Sequence, residues 1–285
     1  MLPTNGIWLV VNGASGSHDG QALADVKSSC REAGLAIERI VAFPDQPLPT
    51  GDALDGAGIS TIAVFAGDGS VNALVSALDG WDGAVLVLPG GTMNLLYHRL
   101  HADRPIGEVV RLAAEGAARR ARPGVIRCSA GTAFADLLAG PGTSWHRVRE
   151  AMRDADIVGV AAHAAQALGA TLGEPGVACR QPESGRTRDY PLIMLTPTDR
   201  GIVANGYCAE TAGEYVEGGW AVLRRRFREG PHDELGLAPR VTLASTTGDS
   251  ISLLLDGEPA ECPAEEVFRL VPCGVDLLAT APDGR

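Results

Sequence analysis

No stretch of this 285-residue chain approaches the roughly 20 consecutive apolar residues that a membrane-spanning helix requires. Residues 1–11 lack both the basic start and the long apolar run of a signal peptide, so the chain is expected to stay in the cytoplasm. Cys-x-x-Cys pairs are missing as well. The six cysteines, at 30, 128, 179, 208, 262 and 273, are scattered, which indicates neither a zinc site nor a disulfide framework but reduced and mostly buried thiols. Positive charge is scarce: 24 Lys and Arg stand against 35 Asp and Glu, a net charge of −11. That balance argues against nonspecific nucleic-acid binding, which needs a basic surface. A membrane-facing patch would have to be local. Its densest candidates are Arg119, Arg120 and Arg122, and Arg224, Arg225, Arg226 and Arg228, each set read first as a solvated helix face or end. Internal repeats are lacking, and His18, His101, His146, His163 and His232 show no ligand spacing, so each is assigned a surface or capping role.

What remains is an ordinary folding composition, 45% hydrophobic and 21% charged, long enough for one large or two modest domains. The first part alternates apolar runs with helical patterns. Residues 7–11 read as a strand, 21–33 as a helix closed by Gly34, and 36–43 and 61–65 as further strands. A helix over 71–78 capped by Ser70, a strand over 84–88, a helix from Asn94 to about residue 100 and another over 106–118 complete the pattern. Such alternation implies a parallel sheet with right-handed crossovers, a Rossmann-like α/β domain over residues 1–122.

Beyond Arg122-Pro123-Gly124 the character changes. Runs at 125–128, 132–138, 177–180, 190–195, 201–204, 241–245, 251–255, 267–270 and 275–278 suit an antiparallel sheet, interrupted by helical stretches over 144–172 and 216–228. Residues 123–285 therefore read as a mainly β domain, with a return of the C-terminal tail to the first domain left open. An exposed edge strand there offers a surface for pairing as a homodimer.

Three loops carry the chemistry of the first domain: Asn12-Gly13-Ala14-Ser15-Gly16, Ala66-Gly67-Asp68-Gly69-Ser70 and Pro89-Gly90-Gly91-Thr92-Met93-Asn94. Each follows an apolar run and pairs glycine with a hydroxyl or amide. Glycine lets backbone N–H groups approach an anion, and a following helix aims its positive end at the same point. All three fall at the carboxyl ends of strands, where ligands bind in open α/β sheets.

These loops, with Asp256-Gly257-Glu258 near the C-terminus, resemble the diacylglycerol kinase catalytic-domain family, which includes bacterial lipid kinases and sphingosine kinases and is distantly related to NAD kinases. The family's Asn-Pro-x-Ser-Gly is present with Gly13 for proline, its Gly-Gly-Asp-Gly-Thr with Ala66 and Ser70 at the ends, and its Pro-x-Gly-Thr-x-Asn in full as Pro89, Gly91, Thr92 and Asn94. The resemblance implies a nucleotide-binding α/β domain beside a β-sandwich carrying the lipid site, with ATP and Mg²⁺ as cofactors. Asn12, Ser15, Gly16, Gly67, Asp68, Gly69, Ser70, Gly91, Thr92 and Asn94 would then serve the nucleotide, and Asp68 and Glu217 metal. Glu258 would be the general base, with Asp256 orienting it or assisting with metal. Taken alone, Asp256-Gly257 is equally a hairpin turn between 251–255 and a following strand.

Two departures stand out. Leu95 replaces the aspartate that often follows the motif asparagine, and His98 occupies the approximate place of an arginine. The reading is a lipid kinase that visits the inner membrane surface, diacylglycerol being the default acceptor by resemblance. The alternatives are a kinase for another alcohol, such as a sphingoid base or soluble metabolite, and a nucleotide- or lipid-binding protein without catalysis.

Overall fold

The computed structural model describes residues 6–12, 20–144, 176–183, 189–207 and 232–281. Ser15, Gly16, Glu217, the arginines at 224–228 and the helix expected at 216–228 lie outside them, as does all but the first residue of the helix expected at 144–172. In chain order the elements are β1 (Ile7–Asn12), α1 (Gly20–Glu32), β2 (Ile37–Phe43), α2 (Gly51–Gly56), β3 (Thr61–Ala66), α3 (Asp68–Ala77), β4 (Ala84–Pro89), α4 (Leu95–His101), α5 (Ile106–Ala114) and β5 (Arg119–Ala121). There follow β6 (Gly124–Cys128), β7 (Gly131–Ala133), β8 (Leu137–Ala139), a 3₁₀ turn (Pro141–Ser144), β9 (Val177–Gln181), β10 (Leu192–Thr198), β11 (Gly201–Tyr207) and β12 (His232–Ala238). The chain ends with β13 (Arg240–Ser245), β14 (Ile251–Leu255), β15 (Glu258–Cys262), β16 (Glu265–Pro272) and β17 (Asp276–Ala279). Two compact units result, Met1–Gly124 with Pro272–Arg285, and Val125–Val271.

The first unit holds one sheet in the order β2-β1-β3-β4-β17-β5. Its inner strands β1, β3 and β4 are apolar almost end to end and buried nearly throughout, as strands covered on both faces must be. β2, at the edge, is buried only at Val41. Pairing is parallel from β2 through to β17, and only β5 runs antiparallel, against β17. α1 buries Val26 and Cys30, and α5 buries Val109, Val110 and Ala113. Each of these valines contributes about 1.5–3 kcal/mol when fully buried.

Several expectations are corrected here. The run at 275–278, assigned to the antiparallel strands, instead inserts into the first sheet as β17, because its apolar residues fit a central position equally well. The helix expected over 106–118 stops at Ala114, since Gly116 takes φ +71°, a left-handed conformation that ends the helix. Beyond it Arg119 and Arg120 are strand residues of β5 and Arg122 follows that strand, so the set is not a helix face. Arg120 and Arg122 both reach Asp276, at 2.9 and 2.7 Å, so they form no open basic patch. Ser70 lies inside α3, whose N-cap is Gly67. The single strand expected over 132–138 is split into β7 and β8 by a bend at 134–136.

His101, assigned a surface or capping role, is fully buried. Its Nδ1 lies 3.0 Å from Thr280 Oγ1, and burial, with the Arg104 charge, pushes its pKa down to about 4 against the pull of the Val87 carbonyl. The unfolded imidazole takes a proton below about pH 6.5 whereas the folded one does so only near 4, so the unfolded state binds more protons in that window. Stability is therefore fully present above pH 6.5 and is expected to fall by about 3 kcal/mol as pH drops to 4. Urea midpoints across this range check the expectation, and an equal decline in His101→Gln would refute it.

The second unit contains two antiparallel sheets, β12-β11-β10-β8-β14-β15 and β7-β6-β16-β13-β9. One buried cluster draws on both, with Ile126, Val241, Leu243 and Phe268 from one and Leu137, Ile193, Leu195, Ile202, Leu253 and Leu255 from the other. The five described cysteines are free thiols, and burial raises Cys30 and Cys179 to about 11 and Cys262 to about 12, which keeps them protonated and unreactive.

Candidate active site

Parallel pairing of β1, β3 and β4 brings their carboxyl ends side by side, and with them the start of the first loop and the whole of the second and third. Side-chain and backbone bonds then knit these together. Asn12 Nδ2 donates to Ser70 Oγ at 2.8 Å, which ties the first loop to α3. Gly90 N donates to Ala66 O at 3.1 Å, and Leu95 N to Asp68 Oδ1 at 2.7 Å, which tie the third loop to the second. Within the third loop, Asn94 closes on Gly91 in both directions. Its Oδ1 accepts from Gly91 N and its Nδ2 donates to Gly91 O, each at 2.8 Å. Asn94 sits in the left-handed region at φ 51°, which asparagine tolerates better than most residues, and stands as the N-cap of α4.

Contact between the second and third loops is backbone on backbone. A Cβ on Gly91 would come within 2.5 Å of Gly67 Cα, and one on Gly90 within 2.5 Å of Ala66 N. The double glycine is thus a spacing requirement between loops, one that the Gly-Gly pair signalled but the reading of residues as ligands missed. Ala66, by contrast, ends β3 in extended backbone and is not among the residues with positive φ, so alanine fits at this position without strain. Gly91→Ala is expected to push the loops apart, cost about 1–3 kcal/mol of stability, and weaken nucleotide binding at least ~10-fold. Calorimetric titration with ATP and a urea melt check both figures.

The donor set fits a phosphate. The N-cap of α3, Gly67, makes no side-chain cap bond, and the positive end of the helix lies at the loops. Gly69 lies in that turn, Thr92 is exposed, and Ser70 is buried at 7% with its hydroxyl accepting from Asn12. Metal ligands are sparser. Among the described residues no group of three His, Cys, Asp or Glu could hold an ion. Asp68 supplies one carboxylate, which suffices for Mg²⁺ in sites where phosphate oxygens and water complete the shell. His98 turns to Asp103, with Nδ1 at 3.3 Å from its Oδ1, at the far end of α4.

In the second unit, Asp256 and Gly257 form the two-residue turn between β14 and β15, with Leu255 paired to Glu258. Both turn residues have positive φ, 51° and 95°, the geometry of a tight hairpin whose twist matches its strands. Asp256 is nonetheless more than a turn. It is buried at 6%, and its carboxylate accepts from the backbone N–H of Phe134, Ala135 and Asp136 at 2.8, 2.8 and 3.1 Å. Glu258 starts β15 and is exposed.

Comparison with known proteins follows the same division. Residues 6–126 match the family model described as the diacylglycerol kinase catalytic domain. No curated protein matches the chain in sequence. Among solved structures, a diacylglycerol kinase from Bacillus anthracis str. Sterne is similar at a TM-score of 0.60 and 14% identity, covering 96% of this chain and 97% of its own. A second structure from that organism, provisionally assigned as a diacylglycerol kinase, has a TM-score of 0.62 and 15% identity over 96% of this chain and 95% of its own. At these identities the likeness is one of fold.

Proposed function

We propose, from the membership of residues 6–126 in the diacylglycerol kinase catalytic-domain family, that this chain transfers the γ-phosphoryl group of ATP to a lipid hydroxyl, with diacylglycerol as acceptor. The observation that carries the reading is the knitting of the second and third glycine loops to each other, and of Asn12 at the head of the first to Ser70, at adjacent strand ends and at the start of α3, whose N-cap makes no side-chain cap bond. Phosphoryl transfer asks the protein mainly for positioning and charge stabilisation, and a base for the hydroxyl proton. The N–H groups of the first turn of α3 would hold phosphate oxygens, with Thr92 and Ser15 as hydroxyl donors. Mg²⁺ carried in with the nucleotide would neutralise charge on the phosphate oxygens. Asp68 would hold that ion directly or through water while its Oδ1 keeps Leu95 N in place. Glu258 would take the acceptor's proton. No helix among the described residues is long and apolar enough to cross a membrane, which agrees with a peripheral visit to the lipid surface.

Leu95, standing where relatives carry a second carboxylate, favours one rival: nucleotide binding without transfer. A labelled-ATP transfer screen against a lipid extract and a soluble metabolite pool separates the readings, with Asp68→Ala as control. The expected result is a labelled lipid that disappears in the variant. Label only on soluble alcohols would overturn the lipid acceptor, and retained ATP binding with no transfer would establish the binding protein.

A further inference from the structure

The bend at 134–136 ends on Asp136, whose side chain faces away from the turn that its backbone holds. Asp136 follows the two buried residues Phe134 and Ala135, immediately before β8, one step beyond the pairing of Leu137 with Leu255 on one side and Leu195 on the other. Its backbone is bonded to the turn both ways, N–H to Asp256 Oδ1 at 3.1 Å and C=O from Asp256 N at 2.9 Å. Its side chain points the other way, where Oδ1 accepts from Thr196 Oγ1 at 3.0 Å. The result is a polar row across β10, β8 and β14. Both side chains are half-buried, on the face of the sheet that also carries the apolar cluster of Leu192, Met194, Tyr207 and Leu138. The row ends two residues before Glu258.

We propose that Asp136 and Thr196 are positioning residues, a brace that fixes the Asp256-Gly257 turn and through it the place of the Glu258 carboxylate. The inference rests on the reading of Glu258 as the base. A carboxylate on a tight turn moves with the turn, and displacements near 1 Å suffice to slow a reaction by up to about 10²-fold. Asp136 holds the turn through two main-chain bonds that side-chain truncation leaves in place, and its side chain takes the Thr196 hydroxyl, so Thr196→Val and Asp136→Ala delete the same bond that steadies the bend and should act as one.

Transfer from labelled ATP to dioleoylglycerol in mixed micelles is to be measured for Thr196→Val, Asp136→Ala, their double variant, Thr196→Ser and Glu258→Gln. Thr196→Val is expected to lower kcat about tenfold with KM for ATP unchanged, and the double variant to lose no more than Asp136→Ala alone. Thr196→Ser, which keeps the hydroxyl, should recover most of the rate. Hydrogen exchange at the Gly257 and Glu258 amides should quicken in Thr196→Val while the urea midpoint holds, a pattern that general destabilisation does not give. Wild-type kcat in Thr196→Val beside a collapsed Glu258→Gln would overturn the brace alone. Full turnover in Glu258→Gln would overturn the base assignment, and the brace with it.

Discussion

Glu258→Gln is expected to lower turnover by about 10²- to 10⁴-fold, the range that a positioned general base contributes. The change is nearly isosteric and removes only the ability to accept a proton. Glu258 is exposed at the head of β15, and its backbone pairing with Leu255 is independent of the side chain, so stability should stay within about 0.5 kcal/mol of the wild type. ATP affinity should be unchanged, because the loops that would hold the phosphates belong to the other unit. The decisive combination is a collapsed rate with an unmoved urea midpoint and an unmoved ATP titration. Unaltered turnover would remove Glu258 from the mechanism.

Two residues earlier, the opposite phenotype is expected. Asp256→Ala deletes the acceptor of three backbone N–H groups in a buried place, and each unsatisfied donor costs about 1–3 kcal/mol. Alanine also lacks the tolerance for φ 51° that aspartate has. A loss on the order of 4 kcal/mol or more follows, a large fraction of the 5–15 kcal/mol that holds a typical domain together. Asp256→Asn should fall between, since its Oδ1 can still serve Ala135 and Asp136 while its amide group faces the Phe134 N–H. Urea unfolding of both variants tests the ranking. A wild-type midpoint in Asp256→Ala would show that the bend at 134–136 finds other acceptors.

That contrast marks how far the sequence was readable. The apolar runs of β1, β3 and β4 announced themselves, because strands buried on both faces leave few polar interruptions, and the glycine loops lay where those runs ended. The bonds between loops were not readable, since pairs such as Asn12 with Ser70 or Leu95 with Asp68 are set by strand order and not by spacing along the chain. Asp256-Gly257 was read two ways, and its residues do serve as a hairpin turn. The buried carboxylate bonds of Asp256 depended on where residues 134–136 would fall, and that bend was taken for an unbroken strand. Short elements escaped for a simpler reason: α2 has six residues and β5 three, too few to show a period. The apolar run of β17 gave no hint of which sheet would receive it.

On the ribosome, the order of events is reversed by β17. Proteins usually mature from the N-terminus forward as synthesis proceeds. Here β2, β1, β3 and β4 are made early, yet the strand that covers the far edge of β4 is drawn from residues 276–279. Until those residues emerge, β4 presents an open, apolar edge and β5 has nothing to pair with. The second unit, complete by Val271, is free to finish first. The loop-bearing unit is thus begun first and closed last.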